Sequence, residues 1–91
     1  MAFRLVFTTP YQKRERAFLT KHPGLRERYF KALRLLEQNP FHPSLRLHPL
    51  QGRLVGLHSA SISMQYRITL ELELQGNEIV LINVGSHGEV Y

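Results

Sequence analysis

The clearest pattern in the chain is an alternation of apolar and polar residues that runs from Ile62 to Leu74. Such alternation is typical of a strand with one buried face. A shorter alternation at Leu45–His48 also predicts a strand, and Leu54–Ala60 is expected to be the strand directly before the long one. The apolar face of the long segment comprises Ile62, Met64, Tyr66, Ile68, Leu70, Leu72 and Leu74, and the polar face comprises Ser63, Gln65, Arg67, Thr69, Glu71 and Glu73.

The end of the chain adds one more strand. Gln75–Asn77 contains Gly76 and supplies a hairpin turn. Residues Ile79–Val84 are apolar at every position but Asn83. That composition predicts a central strand covered on both faces.

Two helices are predicted in the N-terminal half, after a first strand at Phe3–Phe7. Thr8 and the following Thr9-Pro10 are typical of a helix start, and this first helix runs to about Lys21. A second helix spans roughly Pro23–Gln38 and ends at the rigid turn Asn39–Pro43. Its inward stripe is Leu25, Tyr29, Phe30, Leu33 and Leu36.

The order β-α-α-β-β-β predicts an α+β fold. We expect an N-terminal strand and two antiparallel helices packed on one face of a twisted antiparallel sheet of about four strands. With 91 residues and 10.6 kDa, residues 1–91 form a single domain, because the chain is too short for two cores. The opposite face of the sheet would be partly bare and would display Arg67.

Composition excludes several classes of function. The chain has no cysteine, so disulfides, Cys-ligated zinc and thiol catalysis are excluded. No apolar run is long enough for a membrane span, and the first residues lack the pattern of a signal peptide, so we expect a cytoplasmic protein without a membrane partner. None of the short motifs of nucleotide cofactors occurs, and no cofactor is expected.

Charge is distributed unevenly along the chain. Residues 1–53 hold eleven Lys and Arg against three Glu, whereas residues 54–91 hold one Arg against four Glu. The N-terminal part therefore carries a net charge of +8 and the C-terminal part −3. A basic half favours a polyanion such as nucleic acid, or an acidic protein partner.

The five histidines do not follow a metal-ligand spacing, and the chain has no Cys or Asp beside them, so no metal site is predicted. Three of them lie on or directly after predicted strands: His48, His58 and His87. Each alone is explained as a surface or turn residue. Together with Arg67, and with Arg46 and Arg53 close to His48 in sequence, they indicate a phosphate-binding surface with titratable side chains.

Several segments, in order and spacing, resemble the RelE/ParE superfamily of type II toxin–antitoxin toxins, and most closely its YafQ-like branch. With the two-helix half, the resemblance covers nearly the whole chain. The matching segments are residues 39–45 (NPFHPSL), 47–52 (LHPLQG), 56–62 (GLHSASI), 66–68 (YRI) and 85–91 (GSHGEVY).

The resemblance implies a ribosome-dependent mRNA interferase, an endoribonuclease that cuts mRNA during translation and is neutralised by a co-expressed antitoxin. In YafQ-like toxins the active site includes histidines that match His48 and His87, and an aromatic residue, here Tyr91, closes the chain. In RelE-like and YoeB-like relatives an arginine that matches Arg67 contacts the scissile phosphate.

Metal-free RNA cleavage uses the ribose 2′-OH as nucleophile, so it needs a base, an acid and cations for the phosphoryl oxygens. Histidine suits both proton transfers near pH 7. We assign His87 as general acid, His48 as base or base-positioner and Arg67 as phosphate clamp, with Tyr91 stacking on a base. Further RNA or phosphate contacts are assigned to Arg46, Arg53, His58 and Gln65.

The chain departs from YafQ-like toxins at two positions, because Ser61 stands where they have a further histidine and Gln65 where they have an aspartate. Neither replacement acts as a base near neutral pH, which leaves the identity of the general base open. His58 stands where this branch often has a tryptophan. It would either fill a packing slot or compensate for Ser61, although residues three apart on one strand face opposite sides.

Two other functions stay open at this point. The first is a ParE-like toxin that binds DNA gyrase, against which the terminal histidine motif argues. The second is a toxin relic that binds RNA without cutting it. The basic half also predicts an acidic antitoxin segment that orders on contact and covers the basic surface.

Overall fold

The computed structural model describes residues 2–86, in which five strands form one sheet beside two α-helices. Two longer strands, β4 and β5, carry most of the sheet, and β2 has only two residues. In chain order the elements are β1 (Arg4–Phe7), α1 (Thr9–Lys21), α2 (Arg26–Gln38), β2 (His48–Pro49), β3 (His58–Ser61), β4 (Tyr66–Glu73) and β5 (Glu78–Ser86).

The strand order across the sheet is β1-β5-β4-β3-β2. β1 lies parallel to β5, and every other neighbouring pair is antiparallel. The α+β class and the two-helix, one-sheet architecture predicted above are confirmed. The parallel pairing of β1 was not predicted. In chain order, α1 and α2 separate β1 from the other strands, so no hairpin turn forces β1 to run antiparallel to its neighbour.

Local sequence explains the helix boundaries. Thr8 caps α1, because its Oγ1 accepts a hydrogen bond from the Tyr11 amide at 3.3 Å. The second helix begins later than predicted, at Arg26, because Pro23–Leu25 forms a separate 3₁₀ turn. It ends at Gln38, next to Asn39 in an extended conformation and the buried Pro40.

The predicted long strand at Ile62–Leu74 is wrong at its start. Residues 62–65 form the turn between β3 and β4, in which the amides of Ile62 and Ser63 both donate to the Tyr66 carbonyl at 2.9 and 3.2 Å. Ile62 is buried but Met64 is 82% exposed. Alternation continued through the turn by chance, because residues 62–65 are Ile, Ser, Met and Gln and include neither glycine nor proline.

The predicted strand at Leu54–Ala60 is also shorter in the structure. Gly52–Leu54 forms a 3₁₀ turn, and Gly52 and Gly56 have positive φ values of 68° and 97°. Glycine adopts this left-handed region at little cost, so both positions bend the chain before β3.

One hydrophobic core lies between the helices and the sheet. From α2 it includes Tyr29, Leu33 and Leu36, as the predicted stripe requires, together with Ala32. From the sheet it includes Ala60, Ile68, Leu70, Ile79 and Leu81, which are all fully buried.

A chain of hydrogen bonds joins the two helices inside this core. The Tyr29 hydroxyl donates to Glu15 Oε2 at 2.6 Å, so the Tyr11 hydroxyl must donate to the Tyr29 oxygen, 2.8 Å away. Burial raises the pKa of both tyrosines well above its ordinary value, and the negative charge of Glu15 raises it further. Both phenols are therefore neutral at physiological pH.

Candidate functional site

The sheet has two faces, and the strand register assigns each residue to one of them. Residues paired across neighbouring strands share a face, and faces alternate along each strand. Ala60 pairs with Ile68 on the side of the helices. On the opposite side, which we call the second face, His48 pairs with Ser59. Ser59 pairs in turn with Thr69, and Ser61 pairs with Arg67.

His48 and Arg67, two of the predicted catalytic residues, therefore lie on the same face. They are separated by two strand spacings across the sheet and by two residues along it. That geometry gives about 12 Å between their Cα atoms. Their side chains are long enough to approach one nucleotide from two sides.

Arg67 is half-buried, and part of its guanidinium has no partner. Its Nη1 donates a hydrogen bond to Ser61 Oγ at 3.2 Å. Its Nε is buried and has no hydrogen-bond acceptor among the described residues. A buried donor of a charged group without an acceptor is costly, so the site favours an anion that would supply one.

Two buried hydroxyl groups near Arg67 also lack a hydrogen-bond partner among the described residues. Ser59 is 0% and Thr69 is 2% exposed, and neither hydroxyl has a partner within residues 2–86. The residues pair with each other on the second face, directly beside the Ser61–Arg67 pair. Sequence reasoning placed Thr69 on this face but missed both residues as site residues. The sequence predicted a partly bare face, whereas Ser59 and Thr69 at its centre are buried.

The position of Ser61 changes the meaning of one departure from the YafQ-like pattern. The hydroxyl that replaces the histidine of those toxins accepts the hydrogen bond from Arg67. It also donates to the Ser63 carbonyl at 3.4 Å. Ser61 thus orients the guanidinium in place of any acid–base role.

His48 is held in one tautomer by the backbone. Its Nδ1 lies 3.1 Å from the carbonyl oxygen of Arg46. Because a carbonyl only accepts, Nδ1 carries the proton, and Nε2 of the neutral ring has a free lone pair. Arg46 itself adopts a left-handed conformation with φ of 48°, which is uncommon for a residue with a side chain and aims its carbonyl at the ring.

The predicted phosphate contacts Arg46, Arg53 and Gln65 are exposed. Arg46 lines a small pocket with Ser44, Ser61 and Ser63. Gln65 lies in the turn before β4, at the Arg67 end of that strand, and Arg53 lies on the 3₁₀ turn Gly52–Leu54.

Unlike His48 and Arg67, His58 does not lie on the second face. His58 pairs with Leu70, which is fully buried on the helix side of the sheet. It therefore faces away from Arg67, because it lies three residues before Ser61 on an unbroken strand. Its half-buried ring, with a buried Nδ1 that lacks a partner among the described residues, corresponds to the packing slot considered above.

His87 and Tyr91 lie outside the described residues, so their assigned roles stay predictions. Within residues 2–86, no group of three or more His, Cys, Asp or Glu side chains is arranged to hold a metal ion. Neither described helix is long and apolar enough to cross a membrane.

Comparison with solved structures shows the fold to be that of the RelE/ParE toxins. YafQ from E. coli superimposes with a TM-score of 0.80 at 15% identity, over 98% of each chain. The E. coli DinJ–YafQ toxin–antitoxin complex matches with a TM-score of 0.79 at 18% identity, over 100% of this chain and 99% of that one. A YoeB/ParE toxin from Agrobacterium tumefaciens gives 0.74 at 20% identity, over 93% and 99%.

Sequence comparison adds nothing to this assignment, since no protein-family model and no curated protein matches the chain. At identities of 15–20% the structural likeness establishes the fold alone. A fold does not determine a function, which depends on the residues of the site.

Proposed function

We propose that this chain is the toxin of a type II toxin–antitoxin pair and that it acts as a ribosome-dependent mRNA interferase. The observation that carries this proposal is the group of unpaired donors on the second face. Arg67 Nε and the hydroxyls of Ser59 and Thr69 lack acceptors within the described chain, and His48 on the same face has a free Nε2. An RNA phosphate would satisfy these donors and bring a ribose within reach of the imidazole.

The reaction is an internal phosphoryl transfer. The 2′-oxygen forms a bond to the adjacent phosphorus while the bond from phosphorus to the 5′-oxygen breaks. His48 Nε2 would take the 2′-hydroxyl proton, and His87 would supply a proton to the leaving 5′-oxygen. Arg67 would neutralise the charge that builds on the phosphoryl oxygens, with Ser61 fixing the guanidinium.

The charge distribution supports an acidic antitoxin as partner. Two of the structural neighbours are toxin–antitoxin complexes, DinJ–YafQ of E. coli and RelBE2 of Mycobacterium tuberculosis. The net charge of +8 on residues 1–53 would attract an acidic segment, which would cover the basic surface and block access to the second face. Expression of the chain alone should arrest growth, and co-expression of its antitoxin should restore it.

A translation-coupled cleavage assay tests the proposal. Purified protein is added to a reconstituted translation reaction, and cuts in the mRNA are mapped by primer extension. We expect ribosome-dependent cuts from the wild-type chain and strong loss of cutting in Arg67→Gln, His48→Gln and His87→Gln. The controls are Arg16→Gln on the exposed side of α1 and His22→Gln at its end, which should cut like the wild type.

Two other outcomes would replace the proposal. Inhibition of gyrase supercoiling without mRNA cleavage would identify the ParE-like alternative. RNA binding with neither activity would identify a relic of the toxin fold. Unchanged cutting by His87→Gln would remove that residue from the mechanism.

A further inference from the structure

Three adjoining pockets lead from the turn between β3 and β4 to the outer side of α2. The first, next to Arg67, is lined by Ser44, Arg46 and Ser61. The second shares Ser44 and Ser61 with it and extends to Arg28 and Lys31 on α2. The third shares Arg28 and Lys31 and continues along the outer side of α2. The hydrogen bond between Ser61 and Arg67 joins this series to the candidate catalytic group.

The series is basic along its rim. Of the described residues that line the three pockets, Glu27 alone is acidic. Between the cations lie hydroxyl groups and an apolar floor that includes Ala32, Leu35 and Ile62. The cations that line it are Arg26, Arg28, Lys31, Arg34 and Arg46.

We propose that these pockets form a binding track for single-stranded RNA that leads away from the cleaved linkage, from Arg67 through Arg46 and Ser44 to Arg28 and Lys31. An RNA chain held at Arg67 must continue over the neighbouring surface, and this track begins there. Cations at the rim would contact phosphates, and the apolar floor would accept the face of a base. The inference rests on the proposed function, because it takes the chain bound at Arg67 to be RNA.

The test measures binding away from the ribosome. The probe is a fluorescent single-stranded 2′-O-methyl RNA of about twelve nucleotides, which lacks the nucleophilic hydroxyl and cannot be cut. The double variant Arg28→Gln/Lys31→Gln should bind it about 10- to 30-fold more weakly near 0.1 M salt. The slope of log affinity against log salt should fall by about 1.4, because two phosphate contacts are lost.

A matched control distinguishes RNA binding along the track from nonspecific electrostatic attraction between RNA and the basic protein. Lys13→Gln/Arg16→Gln removes the same charge from the outer side of α1 and should leave affinity and slope close to wild type. A second variant keeps the charge: Ser44→Leu narrows the passage shared by two pockets and should weaken binding while the salt slope stays unchanged. Equal losses in both double variants, or no loss in either, would overturn the track.

An acidic peptide is the competing occupant. If labelled polyglutamate loses affinity in Arg28→Gln/Lys31→Gln while the RNA does not, the pockets bind protein and the inference is wrong. The cleavage assay stays independent of this result. A chain that binds RNA along the track but never cuts translated mRNA would remove the proposed activity and leave the track in place.

Discussion

The two sides of the sheet differ in how far their buried polar groups are paired. On the helix side, the buried hydroxyls of Tyr11 and Tyr29 and the carboxylate of Glu15 form a complete chain of hydrogen bonds within an apolar core. On the second face, Ser59 and Thr69 are equally buried, yet their hydroxyls have no partner among the described residues. Among the described residues, the helix side leaves His58 Nδ1 buried without a partner, whereas the second face leaves three such atoms, on Ser59, Arg67 and Thr69.

This difference indicates where stability and function lie in the molecule. Unpaired buried donors lower the free energy of unfolding, and for this reason we propose the second face as the binding surface. Substitutions on the helix side should therefore change stability more than activity, and substitutions on the second face should do the reverse.

The largest loss of cleavage activity is expected from a substitution of Arg67. Arg67→Met should lower translation-coupled cleavage about 10²- to 10³-fold, because the group that neutralises phosphoryl charge is lost. Unfolding in urea should show no loss of stability, because the substitution also removes a buried donor without an acceptor. Arg16→Met on the exposed side of α1 is the control for charge. A large loss of stability with cleavage retained would reverse the functional assignment of this face.

On the helix side, Tyr29→Phe should lower the free energy of unfolding by about 3 kcal/mol. The change removes a hydrogen bond to a carboxylate and leaves the fully buried Tyr11 hydroxyl without an acceptor. Cleavage per folded molecule should be unchanged. Tyr66→Phe, at a half-buried position, should alter stability by less than about 0.5 kcal/mol. Similar losses of unfolding free energy in the two variants would show that the buried chain of hydrogen bonds does not contribute to stability.

The same tyrosines predict loss of stability in alkali. Their pKa values are raised in the folded state, chiefly by burial, so the unfolded chain loses these protons first as the pH passes about 10. Their contribution is complete below pH 10 and declines above it by about 1 kcal/mol per tyrosine for each pH unit. Urea unfolding from pH 8 to 11 measures the slope. Tyr11→Phe/Tyr29→Phe should be less steep, and an identical slope would contradict this origin.

The fold was largely predictable because its main signals are periodic. The stripe of Tyr29, Leu33 and Leu36 and the alternation through Ile68 and Leu70 correctly predicted a helix and a strand that bury those residues. Local sequence could not reveal that the alternation crosses a turn at residues 62–65, because these residues include neither glycine nor proline. It also could not reveal the parallel pairing of β1 with β5, which depends on the path of the whole chain.

The candidate site was predictable only in part. Alternation and family resemblance together pointed to His48 and Arg67, which the register places on one face. Ser59 and Thr69 carry no such signal, because small hydroxyl residues are common on strands and only the assembled fold shows that these two are buried without partners. His58 was grouped with the other strand histidines and Arg67 and was predicted to contact RNA. Its position on β3 instead places its side chain on the helix side of the sheet.

The smallest effect is expected at Thr69, where the substitution preserves shape. Thr69→Val replaces an unpaired buried hydroxyl with a methyl group, so stability should rise by about 1 kcal/mol. Cleavage should fall by less than about tenfold, because one of several phosphate donors is lost. Thr20→Val, exposed on α1, should change neither property and is the matched control. If Thr69→Val instead destabilises the chain, its hydroxyl already has a partner in solution, and the contrast between the two faces is smaller than the unpaired donors imply.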